Sequence, residues 1–303
     1  MQQRSEGRER GYFVRGQFFA APTIGPGLYV VATPIGNLSD ITMRALDTLA
    51  GADLIASEDT RVTRKLLTRY GISTRTTSYH EHSNAAAHDR LLRMLAEGSS
   101  IALVSDAGTP LISDPGERLV ADAAAAGIRV VPIPGASSAV AALSAAGLAS
   151  REFLFAGFLP PKSTARRKRL QRLKNSDVTL VLFEAPGRIA ALLADAAAEL
   201  GEGRQAVLSR ELTKLHETID RGTLKELASR YSERTVKGEI VLLVAPPAEP
   251  AKPDELDVDA MLGDALRSAG MKEAAALVAE ATGLSRRDLY QRALALKAAG
   301  KAH

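Results

Sequence analysis

The chain has 303 residues, 46% of them hydrophobic and 24% charged, with a formal net charge of +4. That length exceeds what one ordinary core needs, so two or more domains are expected. The absence of cysteine excludes disulfides, thiolate metal sites, iron–sulfur clusters and thiol nucleophiles, and it fits a cytoplasmic protein. No run approaches the ~20 apolar residues of a membrane helix.

Residues 1–27, rich in Arg, Gln and Gly and lacking the apolar core of a signal peptide, are expected to form a disordered leader. LYVVATPIGN (28–37) reads as a strand ended by Pro and Gly, and the helix over SDITMRALDTLAGA takes Ser39 or Asp40 as its cap. DLIASED is a second strand, TRVTRKLLTRYG a helix closed by Gly71, and TRTTSYH a third strand. NAAAHDRLLRMLAEG is a helix capped by Asn84, and SSIALVS is the fourth strand. DPGERLVADAAAAG, IRVVPIPG and ASSAVAALSAAG follow as helix, strand and helix. Such alternation over residues 28–150 predicts parallel pairing with right-handed crossovers.

Residues 151–246 make a second α/β unit. Strands are expected in FLFAGFLP, DVTLVLFEAPG, RQAVLSRELT, HETIDRG and GEIVLLVAP, with helices between them, and the less regular connections predict a mixed sheet. The Pro-rich acidic stretch at 247–257 reads as a linker. Residues 258–303 form a small helical domain whose last two helices, joined at TGLS, have helix-turn-helix proportions.

Neither G-x-G-x-x-G nor G-x-x-x-x-G-K-[ST] occurs, which argues against a dinucleotide Rossmann site and a P-loop. Three loops at strand C-termini nevertheless share one chemistry: ATPIGN, SDAGTPLISDPG and IPGASSA combine Pro, Gly and small hydroxyl residues. Ligands of open parallel sheets bind at those strand ends, and small residues allow backbone to approach a ligand closely. In SDAGTPLISDPG the first half suits a ligand-side turn. The second half reads as a helix start with Ser113 or Asp114 as cap and Pro115 in the first turn.

Seven ordered stretches carry a resemblance: VATPIGNLSDITMRAL, SEDTRVTRKLL, LVSDAGTPLISDPG, IPGASSAVAALSAAGL, FAGFLPPK, FEAPGR and KGEIVLLV. Together they resemble the tetrapyrrole-methylase superfamily, and within it the branch that methylates the 2′-oxygen of one cytidine in 16S rRNA of the small ribosomal subunit. The resemblance implies two α/β domains with an S-adenosylmethionine cleft between them, a small C-terminal helical domain and a homodimer, without metal or membrane. Carried onto this chain, it places the cofactor against Pro34, Gly36, Asp106, Gly108, Pro110, Ser137, Ser138, Ala139 and Phe183.

Transfer of a methyl group to a ribose hydroxyl asks for alignment and for a group that takes up the proton. Glu58 and Asp59 at the end of the second strand, and Glu184 at a strand end in the other domain, are the expected catalytic carboxylates. Arg61, Lys65 and Arg188 are expected to contact RNA phosphates or to fix those carboxylates. KSTARRKRLQRLK carries seven basic residues and no acid. It is either a solvated helix face or a phosphate-contacting one through Arg166, Arg167 and Lys168. His80 and His82, with His88 nearby, lack an evident third metal ligand, so an RNA contact or a polar loop explains them better. Lys214, His216 and Glu217 fit a strand rim as well as they fit catalysis. Two alternative functions stay open, a methylase acting on a corrinoid or other tetrapyrrole precursor and a non-catalytic RNA-binding assembly factor.

Overall fold

The computed structural model describes residues 9–80, 85–247, 255–282 and 284–298. Asn84, His82 and most of the expected linker lie outside the described residues. Within the first segment the leader expectation needs correction. Strands β1 (Gly11–Val14) and β2 (Gln17–Ala20) form an antiparallel hairpin. Arg15 and Gly16 at its turn both take positive φ, as a two-residue hairpin connection requires. Alternation sends Tyr12 and Phe19 inward, their rings stacked at 5.8 Å, and the Tyr12 hydroxyl donates to Asp47 at 2.8 Å. An amphipathic period only four residues long per strand left little trace in an Arg- and Gly-rich sequence.

The first large sheet contains β3 (Gly27–Val31), β4 (Leu54–Ser57), β5 (Thr76–Ser78), β6 (Ser100–Val104) and β7 (Val130–Ile133). Its order is β5-β4-β6-β3-β7, and every pairing is parallel. Both α1 (Met43–Gly51) and α2 (Thr60–Tyr70) pack one face through Leu46, Leu49 and Leu66. Leu91 and Leu95 of α3 (Ala85–Ala96) and Leu119 of α4 (Glu117–Ala125) pack the other. The helix after β3 therefore leaves on one face and the helix after β6 on the opposite one, although β3 and β6 are neighbours. That is a topological switch point, where the two strand-end loops diverge and leave a crevice. Thr42, rather than Ser39 or Asp40, caps α1, because Leu38–Asp40 forms a separate 3₁₀ turn capped by Asn37.

The second sheet has order β11-β10-β12-β9-β8, made of β8 (Phe153–Phe158), β9 (Thr179–Glu184), β10 (Gln205–Arg210), β11 (Thr218–Thr223) and β12 (Ile240–Val244). Only β8 and β9 are parallel, so the sheet is mixed as expected. One face is covered by α6 (Ser163–Leu173), α7 (Ile189–Leu200) and α8 (Leu224–Tyr231). The other face packs on α5 (Ser138–Ala146), which follows β7 of the first lobe: Ala142 and Leu143 meet Val181, Val207 and Val241. The two lobes thus share a core, and the described residues up to Pro247 form one compact unit.

A separate unit contains α9 (Glu255–Ser268), α10 (Met271–Thr282) and α11 (Arg286–Ala298). It closes on its own core of Val258, Leu262, Val278 and Leu289, with Arg292 donating to Asp259 at 2.7 Å. Among the described residues no helix is long and apolar enough to cross a membrane.

The basic helix is α6, and here the expectation of RNA contact fails at one residue. Arg166 is 4% exposed, donates to Asp195 at 2.7 Å and to the Pro161 carbonyl at 3.0 Å, and sits between α6 and α7. Its charge is spent inside the fold. Ser163 is the first residue of the helix and donates to Asp195. Arg167 is half-exposed and donates to Glu199 at 2.5 Å, whereas Lys168 lies on the exposed side. Removing one partner of a buried ion pair leaves an uncompensated charge, so Arg166→Ala should lower the unfolding free energy in urea by about 3 kcal/mol. Lys168→Ala should stay within about 0.5 kcal/mol.

Candidate active site

The crevice at the switch point is held by a reciprocal pair of backbone hydrogen bonds. Thr33 N–H donates to the Gly108 carbonyl at 2.8 Å, and Gly108 N–H donates back at 3.0 Å. Gly108 has φ +82°, a conformation that costs a side-chain-bearing residue dearly. The Thr33 hydroxyl donates to the Ser105 carbonyl, and Thr109 donates to Ala136, so all three small-residue loops are knotted together. Beside this knot lies a cleft of about 440 Å³, within the size of small-molecule sites.

The first lobe contributes Glu58, Asp106, Gly108, Ser137 and Ser138 to the walls, and the second contributes Phe183 and Glu184. β12 runs antiparallel to β9, pairing Ile240 with Glu184, and this brings Glu239 to the same rim. Glu184 is 2% exposed; its Oε1 accepts from Arg188 Nε at 2.6 Å and from Ala185 N–H at 2.8 Å, while Oε2 is buried without a partner. Phe183 makes edge contacts with Phe155 and with the exposed Phe158, forming the aromatic wall.

Other expected site residues lie elsewhere. Asp59 faces away from the cleft and caps α2, accepting from Arg61 N–H at 2.8 Å and from the Arg61 guanidinium. Those bonds hold its carboxyl down at about 2, which makes it a poor proton acceptor. Gly36 answers to packing: a Cβ there would meet Lys214 Cγ at 2.5 Å and the Leu212 carbonyl at 3.1 Å, across the lobes. Ala139 belongs to the shared core. Pro34 and Lys65 line a smaller cavity of about 130 Å³ on the far side of Asp106, and Arg188 lines a neighbouring depression with Phe158. Pro110 is buried in the loop without lining the cleft.

Lys214 bridges Glu211 at 2.8 Å and Glu239 at 3.3 Å, and Glu217 accepts from Thr213 N–H, so this segment is a rim brace. His88 is a core residue, held between the Tyr79 hydroxyl and Asp122 at 2.9 Å each. Among the described residues no group of three or more His, Asp or Glu side chains could hold a metal ion.

Asp114 is the main residue that the sequence reading misplaced. Helix α4 begins at Glu117, after Gly116 at φ +123° and with no side-chain cap. Leu111 and Ser113 take positive φ, and the loop so formed lays Asp114 along the cleft. It also lines a second, polar cavity of about 710 Å³ that shares Glu58 and Ser113 and adds His80, Glu117 and Arg118. Burial, reinforced by the negative charges of Glu58 and Asp106, pushes the Asp114 carboxyl up to about 6. Burial and Asp106 raise Glu58 as well. The D-P-G cap signature hid this role, since it looks the same wherever the helix starts. Glu239 stood in KGEIVLLV, where only the antiparallel course of β12 reveals its position.

The family profile of the tetrapyrrole (corrin/porphyrin) methylases matches residues 27–228, and the profile described as RsmI C-terminal HTH domain matches 252–297. The chain belongs to the tetrapyrrole methylase family. It is 52% identical over 278 residues, 91% of this chain and 94% of the other, to the ribosomal RNA small subunit methyltransferase I of Mesorhizobium japonicum. It is 48% identical over 271 residues, 88% and 94% of the two chains, to the protein of that name from Escherichia coli O157:H7. Among solved structures, a uroporphyrin-III C-methyltransferase from Thermus thermophilus complexed with S-adenyl homocysteine superposes with a TM-score of 0.51 at 19% identity. That match covers 72% of this chain and 96% of the other.

The raised Asp114 value sets a pH dependence whose sign is fixed. The fold favours the neutral acid, so the stability it contributes is complete below the ordinary value of 3.8 and is lost as pH rises through about 6. Asp114→Asn should therefore raise the melting temperature at pH 8, and the difference from wild type should vanish at pH 4, as read by thermal unfolding across that range.

Proposed function

We propose that the protein transfers a methyl group from S-adenosylmethionine to the ribose 2′-oxygen of a cytidine in 16S rRNA, acting as a homodimer on the small ribosomal subunit in the cytoplasm. The observation that carries this reading is the cleft itself: acidic, walled by aromatic rings on one side and small-residue backbone on the other. It occurs in a chain about half identical to ribosomal RNA small subunit methyltransferases. The donor set suits the cofactor's chemistry. Carboxylates of Glu58, Asp106 and Asp114 favour a sulfonium and an ammonium, the Ser137–Ser138 start of α5 offers N–H groups to a carboxylate, and Phe158 and Phe183 offer an apolar face to an aromatic base.

S-adenosylmethionine supplies an electrophilic methyl group on a sulfur that departs as a neutral thioether, so no acid is needed on that side. What the chain must add is alignment and a proton acceptor. Glu58 fits the second role, because burial and Asp106 raise its carboxyl above the ordinary value, which makes it a stronger proton acceptor than a free carboxylate. Asp114, sharing both cavities with Glu58, holds or relays that proton. Glu184 is clamped by Arg188 and acts by position, fixing the second-lobe wall.

The decisive experiment incubates the protein with labelled S-adenosylmethionine and small subunits lacking the modification, then maps the product by mass spectrometry. A methyl on a cytidine ribose is expected; one on a base atom, or none, overturns the reading. Glu58→Gln should slow single-turnover transfer by roughly 10² to 10⁴-fold, the usual worth of a general base. Wild-type rates in that variant would remove Glu58 from the role.

A further inference from the structure

The N-terminal hairpin presents an exposed aromatic pair that neither the cleft nor the core explains. The hairpin turns Phe13 and Phe18 outward, 47% and 41% exposed, as a directly opposed pair with ring centroids 5.3 Å apart. Core packing is already served by Tyr12 and Phe19 on the other face. The Phe13 ring closes on the end of α2, where a Cβ on Gly71 would stand only 2.8 Å from it.

Helix α2 links this pair to the cleft. Arg61, Arg64, Thr68 and Gly71 are spaced i, i+3, i+7 and i+10, so they form one row, and the exposed Lys65 and Arg69 flank it. The row starts at the cleft mouth, since the N–H of Asp59, the cap of α2, donates to the cleft residue Asp106 at 3.0 Å. From Arg61 to Gly71 it runs about 15 Å at 1.5 Å per residue. It holds four cations against the single carboxylate of Asp59, and Arg61 remains 88% exposed beside that partner.

The geometry points to α2 and the hairpin as a track for single-stranded RNA, with the phosphates along Arg61, Arg64 and Lys65 and an unpaired base stacked on the Phe13–Phe18 pair. The inference rests on the ribosomal RNA reading and goes beyond it by naming where the strand leaves the cleft. A row of cations ending in exposed aromatic rings is the arrangement that grips single strands: charge follows the backbone, and rings take bases without regard to sequence. The acidic cleft would repel phosphates, so the flanking strand must run over a surface of the opposite sign. A second copy of the chain is the poorer occupant, because a two-fold contact would set this cationic row against itself.

The test measures fluorescence anisotropy of a labelled single-stranded RNA copy of the methylated segment, and methyl transfer to small subunits, with full-length variants. Phe13→Ala with Phe18→Ala should weaken RNA binding at least tenfold, with the salt dependence and S-adenosylmethionine affinity unchanged. Phe13→Tyr with Phe18→Tyr, which keeps both rings, should retain binding. Arg64→Ala with Lys65→Ala should flatten the slope of log affinity against log salt by about 1.4, at about 0.7 per phosphate on single strands. Wild-type RNA affinity in the double alanine variant overturns the track, and so does a change of sedimenting mass with RNA affinity intact. If the wild-type protein binds neither RNA nor subunits, the ribosomal RNA reading itself fails, and this inference with it.

Discussion

Two hydrogen bonds between Thr33 and Gly108 hold the rest of the arrangement in place. They join the loops that follow β3 and β6, the neighbouring strands whose helices depart to opposite faces of the sheet. Without a tie the divergence would leave unpaired backbone at the bottom of a crevice, which is costly to bury. With it, the two chain segments form a rigid floor, and side chains from both can converge above it. Gly108 permits this because its φ of +82°, a conformation side-chain-bearing residues rarely adopt, aims N–H and carbonyl at Thr33 together. The mixed sheet then closes the opposite side, anchored by α5, which belongs to the first lobe by sequence and to the second by packing.

Charge is partitioned around that floor. Glu58, Asp106, Asp114, Glu184 and Glu239 surround the cleft, whereas cations lie outside it on α2. Burial in a partly dry space, reinforced by neighbouring carboxylates, raises the proton affinity of Glu58 and Asp114. The cations that do approach are already engaged: Arg188 with Glu184 and Lys214 with Glu211 and Glu239. They brace the rim instead of neutralising its interior.

The alternation of strands and helices was legible because each apolar run is bounded by Gly, Pro or a capping residue, as at Gly71 and Gly147, both left-handed C-caps. The loops that form the cleft were legible for the same reason, since glycine and proline declare where a chain stops packing. What stayed hidden depended on distant partners. Arg166 looks like its basic neighbours until Asp195, on another helix, claims it. Asp114 looks like a helix cap until the positive φ of Leu111 and Ser113 sends it to the cleft. Asp59 differs from Glu58 by one position at a strand end, and one position is enough to turn a side chain from the cleft to a helix cap. The hairpin carries only eight residues of pattern, and the partners that dock it on α1, Asp47 for the Tyr12 hydroxyl and Leu46 and Leu49 for its ring, lie more than 30 residues away.

The order of strands in the first sheet also governs how the protein can be made. β3 is the first of the five to be synthesised, yet it lies between β6 and β7 and pairs with nothing nearer in sequence. Its first partner follows roughly 70 residues later, about 4 to 15 s at ordinary elongation rates of 5–20 residues per second. Through that interval LYVV is an apolar strand with two open edges, the kind of segment that associates with other chains before it finds its own. The short hairpin just ahead of it, complete within ten residues, is the one sheet that can form at once.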